Sequence, residues 1–241
     1  MDYLLLLSTI ALGAITVFAF RLHEPKHVKL LNSFTGAFLL SLTILHLLPE
    51  LYSFPKSEGG EKQMLVLGAL MLGGFFIQLA LDYISMGVEH GHAHHIHGRA
   101  PYGVLAGLCL HALVEASALG NPETYYDKSS RAMLLWSIVV HNFPVSIALL
   151  GMLLHWGMKP GKALCWLAAF AAMGPLGMFA SGHLSLLADH SRELMAIVIG
   201  IFMHISTTIL FESGEVHRIH VPKLIAILVG TGLGVAAVLL H

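Results

Sequence analysis

Eight apolar stretches, each of about 18–23 residues, follow one another along almost the whole chain, and each is long enough to cross a ~30 Å hydrocarbon layer as a helix. They run near 3–20, 30–51, 64–86, 102–120, 132–154, 163–181, 193–212 and 222–240. A chain built this way has few options, because backbone groups in lipid must find their partners within the protein. Composition agrees: 56% of the residues are hydrophobic and 11% charged, where a soluble domain carries about a quarter charged residues. The expected fold is an all-α polytopic membrane protein of eight transmembrane helices. Residues 1–241 are expected to form a single transmembrane domain, since the loops are short and punctuated by Pro, Gly and charge. Met1–Phe20 lacks a basic start and a small-residue cleavage site, so no cleavable signal is expected there. The two cysteines, Cys109 and Cys165, both lie in apolar segments, which argues against a disulfide framework. A net charge of −1 offers nothing to nucleic acid. The run Gly157-Met-Lys-Pro-Gly161-Lys162-Ala163 is one residue short of a phosphate loop and lacks its Ser or Thr, which removes nucleotide binding.

Lys and Arg in short loops set orientation. With the N-terminus outside, the inner loops hold Arg21, Lys26, Lys29, Arg99, Lys159, Lys162, Arg218 and Lys223, and the outer loops the smaller set Lys56, Lys62, Lys128, Arg131 and Arg192. Both termini are therefore expected outside the cytoplasm. The outer loops carry Glu50, Glu58, Glu61, Glu123 and Asp127, which would either attract cations or simply keep the loops soluble.

Two polar signatures interrupt the apolar spans: His111-Ala-Leu-Val-Glu115 in the fourth and His141-Asn142-Phe-Pro144 in the fifth. A carboxylate at that depth costs several kcal/mol and persists only with a partner, so it is a functional candidate by default. Four residues apart on a helix, His111 and Glu115 stack on one face about 6 Å apart along the axis, where they can share one cation or simply bond each other. Pro144 removes the N–H that would serve the carbonyl of Val140, so a local kink beside a polar site is expected. His46, in Leu-His-Leu-Leu-Pro-Glu, lies near the outer end of the second span. Counting ~1.5 Å per residue from span midpoints puts it near the level of Glu115. It could therefore join His111, Glu115 and His141 as a fourth ligand, though a lone His near a helix end is as often interfacial. A buried Glu among His residues is ligand chemistry for Zn²⁺ or Fe²⁺. His90, His92, His94, His95 and His97 crowd the loop after the third span, about 88–99, expected to be cytoplasmic and to bind divalent metal loosely. Asp82, His204, Thr207 and Glu212 would line an exit path or satisfy one another, and the glycines of the fourth, sixth and eighth spans suit close helix packing.

Eight spans, a His-rich loop after the third and paired motifs in the fourth and fifth resemble the ZIP family of zinc and iron permeases. Ser41–Glu50 is similar to the family's second span, which ends in His-Leu-Leu-Pro-Glu. His111–Ala116 is similar to its fourth-span His-Asn-x-Pro-Glu/Asp-Gly motif, and His141–Ser146 to its fifth-span His-Glu/Asp-x-Pro-Glu-Gly motif. The resemblance implies a permease rather than an enzyme: a carrier bringing divalent metal into the cytoplasm, often as a homodimer, with a midmembrane centre between the fourth and fifth spans. Carried over by position, the metal ligands would be His46, His111, Glu115, His141 and Asn142. The transported ion would be Zn²⁺, with Fe²⁺, Mn²⁺, Co²⁺ and Cd²⁺ also fitting, and the setting a bacterial inner (plasma) membrane. The chain departs from the pattern at Ala112, Val114, Asn142 and Val145, leaving Glu115 as the one carboxylate of the centre. Two adjacent dications with one negative ligand repel strongly at low dielectric, so one bound metal is expected. Three other readings compete: a degenerate member that senses metal or acts as a scaffold, a metal exporter, and an intramembrane metalloprotease. The exporter would have about six spans and a soluble C-terminal domain. The protease would need a catalytic base beside a three-ligand metal, usually in His-Glu-x-x-His; the string His23-Glu24-Pro25-Lys26-His27 falls in the loop between the first two spans, apart from both polar signatures.

Overall fold

A computed structural model describes residues 1–20, 25–53, 60–85, 102–121, 128–211 and 221–240, and every extended element among them is helical. In chain order these are α1 (Asp2–Phe20), α2 (Pro25–Leu42, continuing through a π-helical turn Thr43–Leu47 into Leu48–Tyr52), α3 (Gly60–Ser85), α4 (Tyr102–Ser117), α5 (Lys128–His155), α6 (Pro160–His183), α7 (Ser191–Phe211) and α8 (Val221–Leu239). Seven are long and apolar enough to cross a membrane, and α4 is a shorter apolar helix of 16 residues. The protein is a polytopic α-helical membrane protein. The sequence places the fourth span over 102–120, but the helix stops at Ser117 and the chain turns through Leu119 and Gly120.

The helices sort into two groups by their contacts. In one, α1 packs on α5 and α6, and α4 packs chiefly on α6; in the other, α2 packs on α8 and α7, and α3 on α7. The groups meet where α2 faces α5 and where α3 faces α4. Buried leucine, isoleucine and phenylalanine fill the first group around Leu108, Leu150 and Phe170, while a second apolar core around Leu39, Leu134 and Phe202 spans the seam. Large apolar side chains left exposed, such as Leu72, Phe76 and Leu228, suit a surface solvated by lipid tails.

With lipid as solvent, hydrophobic burial does little to join helices, so close packing at small residues must do more. At Gly74 of α3 an added Cβ would collide with the Ile197 backbone of α7, and at Gly200 of α7 with the backbone of Met71 and Phe75 in α3. Gly177 of α6 abuts the Leu113 carbonyl of α4 in the same way, and Gly230 of α8 the Phe34 carbonyl of α2. Of the glycines expected to serve packing in the sixth and eighth spans, Gly177, Gly230 and Gly234 do so, whereas Gly232 faces open space.

Two polar contacts tie helices together through backbone carbonyls. Pro144 sits inside α5, which remains helical through it, and the carbonyl of Val139, next to the Val140 carbonyl that Pro144 deprives of a donor, accepts a hydrogen bond from Thr9 Oγ1 of α1 at 2.9 Å. At the end of the short α4, Arg131 donates from Nε and Nη2 to the Leu119 carbonyl at 3.2 and 3.1 Å, and from Nη1 to Asp2 Oδ2 at 2.6 Å. One guanidinium thus satisfies a carbonyl just past α4 and ties the starts of α1 and α5 to it. Arg131→Ala is expected to destabilise the protein by about 2–3 kcal/mol, because it strands a carbonyl and a carboxylate together. Asp2→Asn should cost less, since both side chains of this ion pair are partly exposed. Thermal melting of the two variants in detergent, with the order reversed, would refute this account.

Candidate metal centre

Helix α4 presents His111 and Glu115 one turn apart on a single face, both fully buried, with His111 Nε2 3.5 Å from Glu115 Oε2. Half-way along α5, His141 is also buried, and its ring lies perpendicular to that of His111, the two centroids 6.0 Å apart and the planes at 83°. One ligand atom from each of the three lies within 4.8 Å of the others, and this is the one such group among the described residues. Donors bound tetrahedrally to Zn²⁺ at 2.0–2.1 Å stand about 3.4 Å apart. The His111–Glu115 pair already has that separation, and His141 needs a shift of roughly an ångström beyond it.

The surroundings suit a cation. Neither carboxylate oxygen of Glu115 accepts a hydrogen bond among the described residues. A buried carboxylate without donors is costly, and a metal ion removes that cost more completely than any neutral neighbour. Asn142, the next residue along α5, is buried and its Oδ1 likewise accepts no hydrogen bond among the described residues. As an adjacent helical residue it projects about 100° round the axis from His141.

Not every expected ligand arrives at this point. His46 lies in the π-helical turn of α2, half-buried, with Nε2 3.0 Å from Ser130 Oγ at the start of α5. Ser130 precedes His141 by three helical turns, about 16 Å along the axis, so His46 stands well away from the three-residue group, toward the start of α5. Counting depth from span midpoints assumes that helices share a common centre, and here the π-helical turn of α2 lies level with the start of α5 rather than with its middle. The five histidines His90, His92, His94, His95 and His97 lie outside the described residues. Asp82 and His204 satisfy each other: His204 Nε2 is 2.9 Å from Asp82 Oδ2, and Phe75 meets the His204 ring edge-on at 4.8 Å. Thr207 turns back to its own helix, donating to the Met203 carbonyl at 2.6 Å. Cys109 and Cys165 are free thiols.

One residue beside the centre has no counterpart among the expected ligands. Gln78 of α3 is fully buried, and its Oε1 lies 2.9 Å from His111 Nδ1. The available signal was an amide inside the apolar run Phe75-Phe-Ile-Gln78-Leu-Ala-Leu-Asp82, one turn before the acid that meets His204.

The family model described as ZIP Zinc transporter matches residues 87–240, which includes α4 to α8 and so both helices of the centre. No curated protein matches the chain.

Proposed function

The chain belongs to the ZIP zinc transporter family, whose activity is divalent-metal transport, and on that premise we propose that it carries Zn²⁺ into the cytoplasm through a centre formed by His111, Glu115 and His141. The observation that carries this reading is the convergence of three buried donor side chains from two helices, one of them a carboxylate that accepts no hydrogen bond among the described residues.

Two imidazoles and a carboxylate are borderline-soft and hard donors together, a set that suits Zn²⁺ and also accommodates Fe²⁺, Co²⁺, Mn²⁺ or Cd²⁺. With Glu115 as the one acid in the group, a single metal is the favoured load, for two dications would repel across a low-dielectric site. Asn142 Oδ1 or a water supplies the fourth position. Three protein ligands hold a cation less tightly than a closed structural site does, which suits a carrier that must let go. His46 with Ser130 serves as an outer contact on the approach rather than as part of the bound-state shell. The Lys and Arg distribution favours both termini outside, and the apolar surface suits a lipid bilayer, here proposed to be a bacterial inner membrane. A homodimer fits the same family pattern.

The test is Zn²⁺ flux into liposomes holding the purified protein. Wild type should load the vesicles, and His141→Ala should fall to the protein-free leak while its Zn²⁺ affinity drops by about 10- to 100-fold or more. His46→Ala should slow flux with affinity unchanged within about threefold. Equal loss of affinity in both variants would put His46 in the bound-state shell. Tight Zn²⁺ binding by a folded wild type without flux would replace transport by a sensing or scaffolding role.

A further inference from the structure

We propose that Gln78 is a positioning residue for the metal centre, fixing His111 in the tautomer that aims Nε2 at the cation and doing so from the other helix group. The inference rests on the reading of His111 as a ligand. Gln78 Oε1 is a carbonyl oxygen and can only accept, so the 2.9 Å contact requires His111 Nδ1 to carry the proton. A neutral imidazole protonated at Nδ1 has its lone pair at Nε2, the atom that faces Glu115 Oε2 at 3.5 Å. A ring free to exchange tautomers would spend part of its time with a proton where the metal must bind. Metal-ligating histidines ordinarily have such an outer partner, and its loss typically costs 10–100-fold in affinity.

The partner's location adds a consequence. Gln78 stands on α3, which packs on α7, whereas His111 stands on α4, which packs on α6; the hydrogen bond therefore crosses the seam between the two helix groups. Both ends are fully buried, so the bond is made in a low-dielectric setting where its geometry is strongly held. The ligand geometry of His111 is in this way conditional on the α3–α4 contact, and any displacement of one group against the other that stretches the bond loosens the grip on the ion.

The experiment uses the full chain in detergent with Gln78→Met, which keeps the side-chain volume and removes the acceptor, and Gln78→Glu, which restores a carbonyl-type acceptor at the same reach. His111→Ala is run beside them. Zn²⁺ affinity is read by calorimetry, and the His111 tautomer by ¹⁵N shifts of ring-labelled histidine in metal-free protein. Gln78→Met should weaken Zn²⁺ by about 10–100-fold and move the proton off Nδ1, with Gln78→Glu returning both to within a few-fold of wild type. A purely structural role for Gln78 predicts the reverse order, because a buried acid disturbs packing more than a methionine, and that order overturns the proposal. An unchanged tautomer in Gln78→Met also overturns it. His111→Ala that binds Zn²⁺ like wild type would instead remove the ligand assignment on which the proposal stands.

Discussion

Glu115→Gln is expected to abolish Zn²⁺ uptake and to weaken Zn²⁺ binding by two orders of magnitude or more, equivalent to about 3 kcal/mol. Glu115 is the one acid in the three-residue group, and it stands at full burial where a dication finds little other compensation for its lost water. The amide keeps the shape and an oxygen donor while removing the charge, so the loss reports electrostatics rather than packing. Stability should move differently. The metal-free Glu115→Gln protein should melt at or above the wild-type temperature, because the carboxylate accepts no hydrogen bond among the described residues and its burial opposes folding. Calorimetric titration and thermal melting on the same preparations separate the two effects. If Glu115→Gln bound Zn²⁺ as tightly as wild type, the acid would have no place in the centre.

The largest expected effect on folding lies far from the metal. Gly200→Val should destabilise the protein by roughly 3 kcal/mol or more, enough to lose most folded material. A Cβ at this position has no flexible side chain to push aside: it meets the Met71 carbonyl group and the Phe75 amide of α3, so the helix axes themselves must separate. Separation would also strip the reciprocal fit of Gly74 against Ile197 and open the Asp82–His204 pair. Gly73→Val is the control on α3, one residue from Gly74 but with open space around its Cβ, and should change stability by less than about 1 kcal/mol. Fluorescence-detected gel filtration after a temperature ramp reads both. Equal behaviour of the two variants would mean that α3 and α7 are not in close backbone contact.

How much of this was visible in the chain before its structure differs from residue to residue. The helices were legible because the bilayer sets a length scale that apolar runs must meet, and the spans fall within a few residues of the helices. His111 and Glu115 were legible because helical spacing alone puts them together, and His141 because a polar pair before Pro144 has few other reasons to sit at mid-span. The position of His46 was not, because depth along one helix says little about depth along another, and the π-helical turn that carries it leaves no sequence signature. Gln78 was invisible for a different reason. A single amide in an apolar span reads as tolerated polarity until a partner on another helix is seen to face it.

The described part of helix α4, Tyr102–Ser117, has 16 residues, about 24 Å of rise, against a hydrocarbon layer of about 30 Å. It is also not wholly shielded, since Tyr102 and Leu110 lie on its exposed stripe. Among the described residues, the element that carries His111 and Glu115 is thus the one whose fit depends most on bilayer thickness. Hydrophobic mismatch falls on it first, and it is relieved by local thinning of the lipid or by tilt of that helix against its neighbours. Acyl-chain length thereby becomes a variable of the metal site itself, acting on the angle at which two of its three ligands are presented.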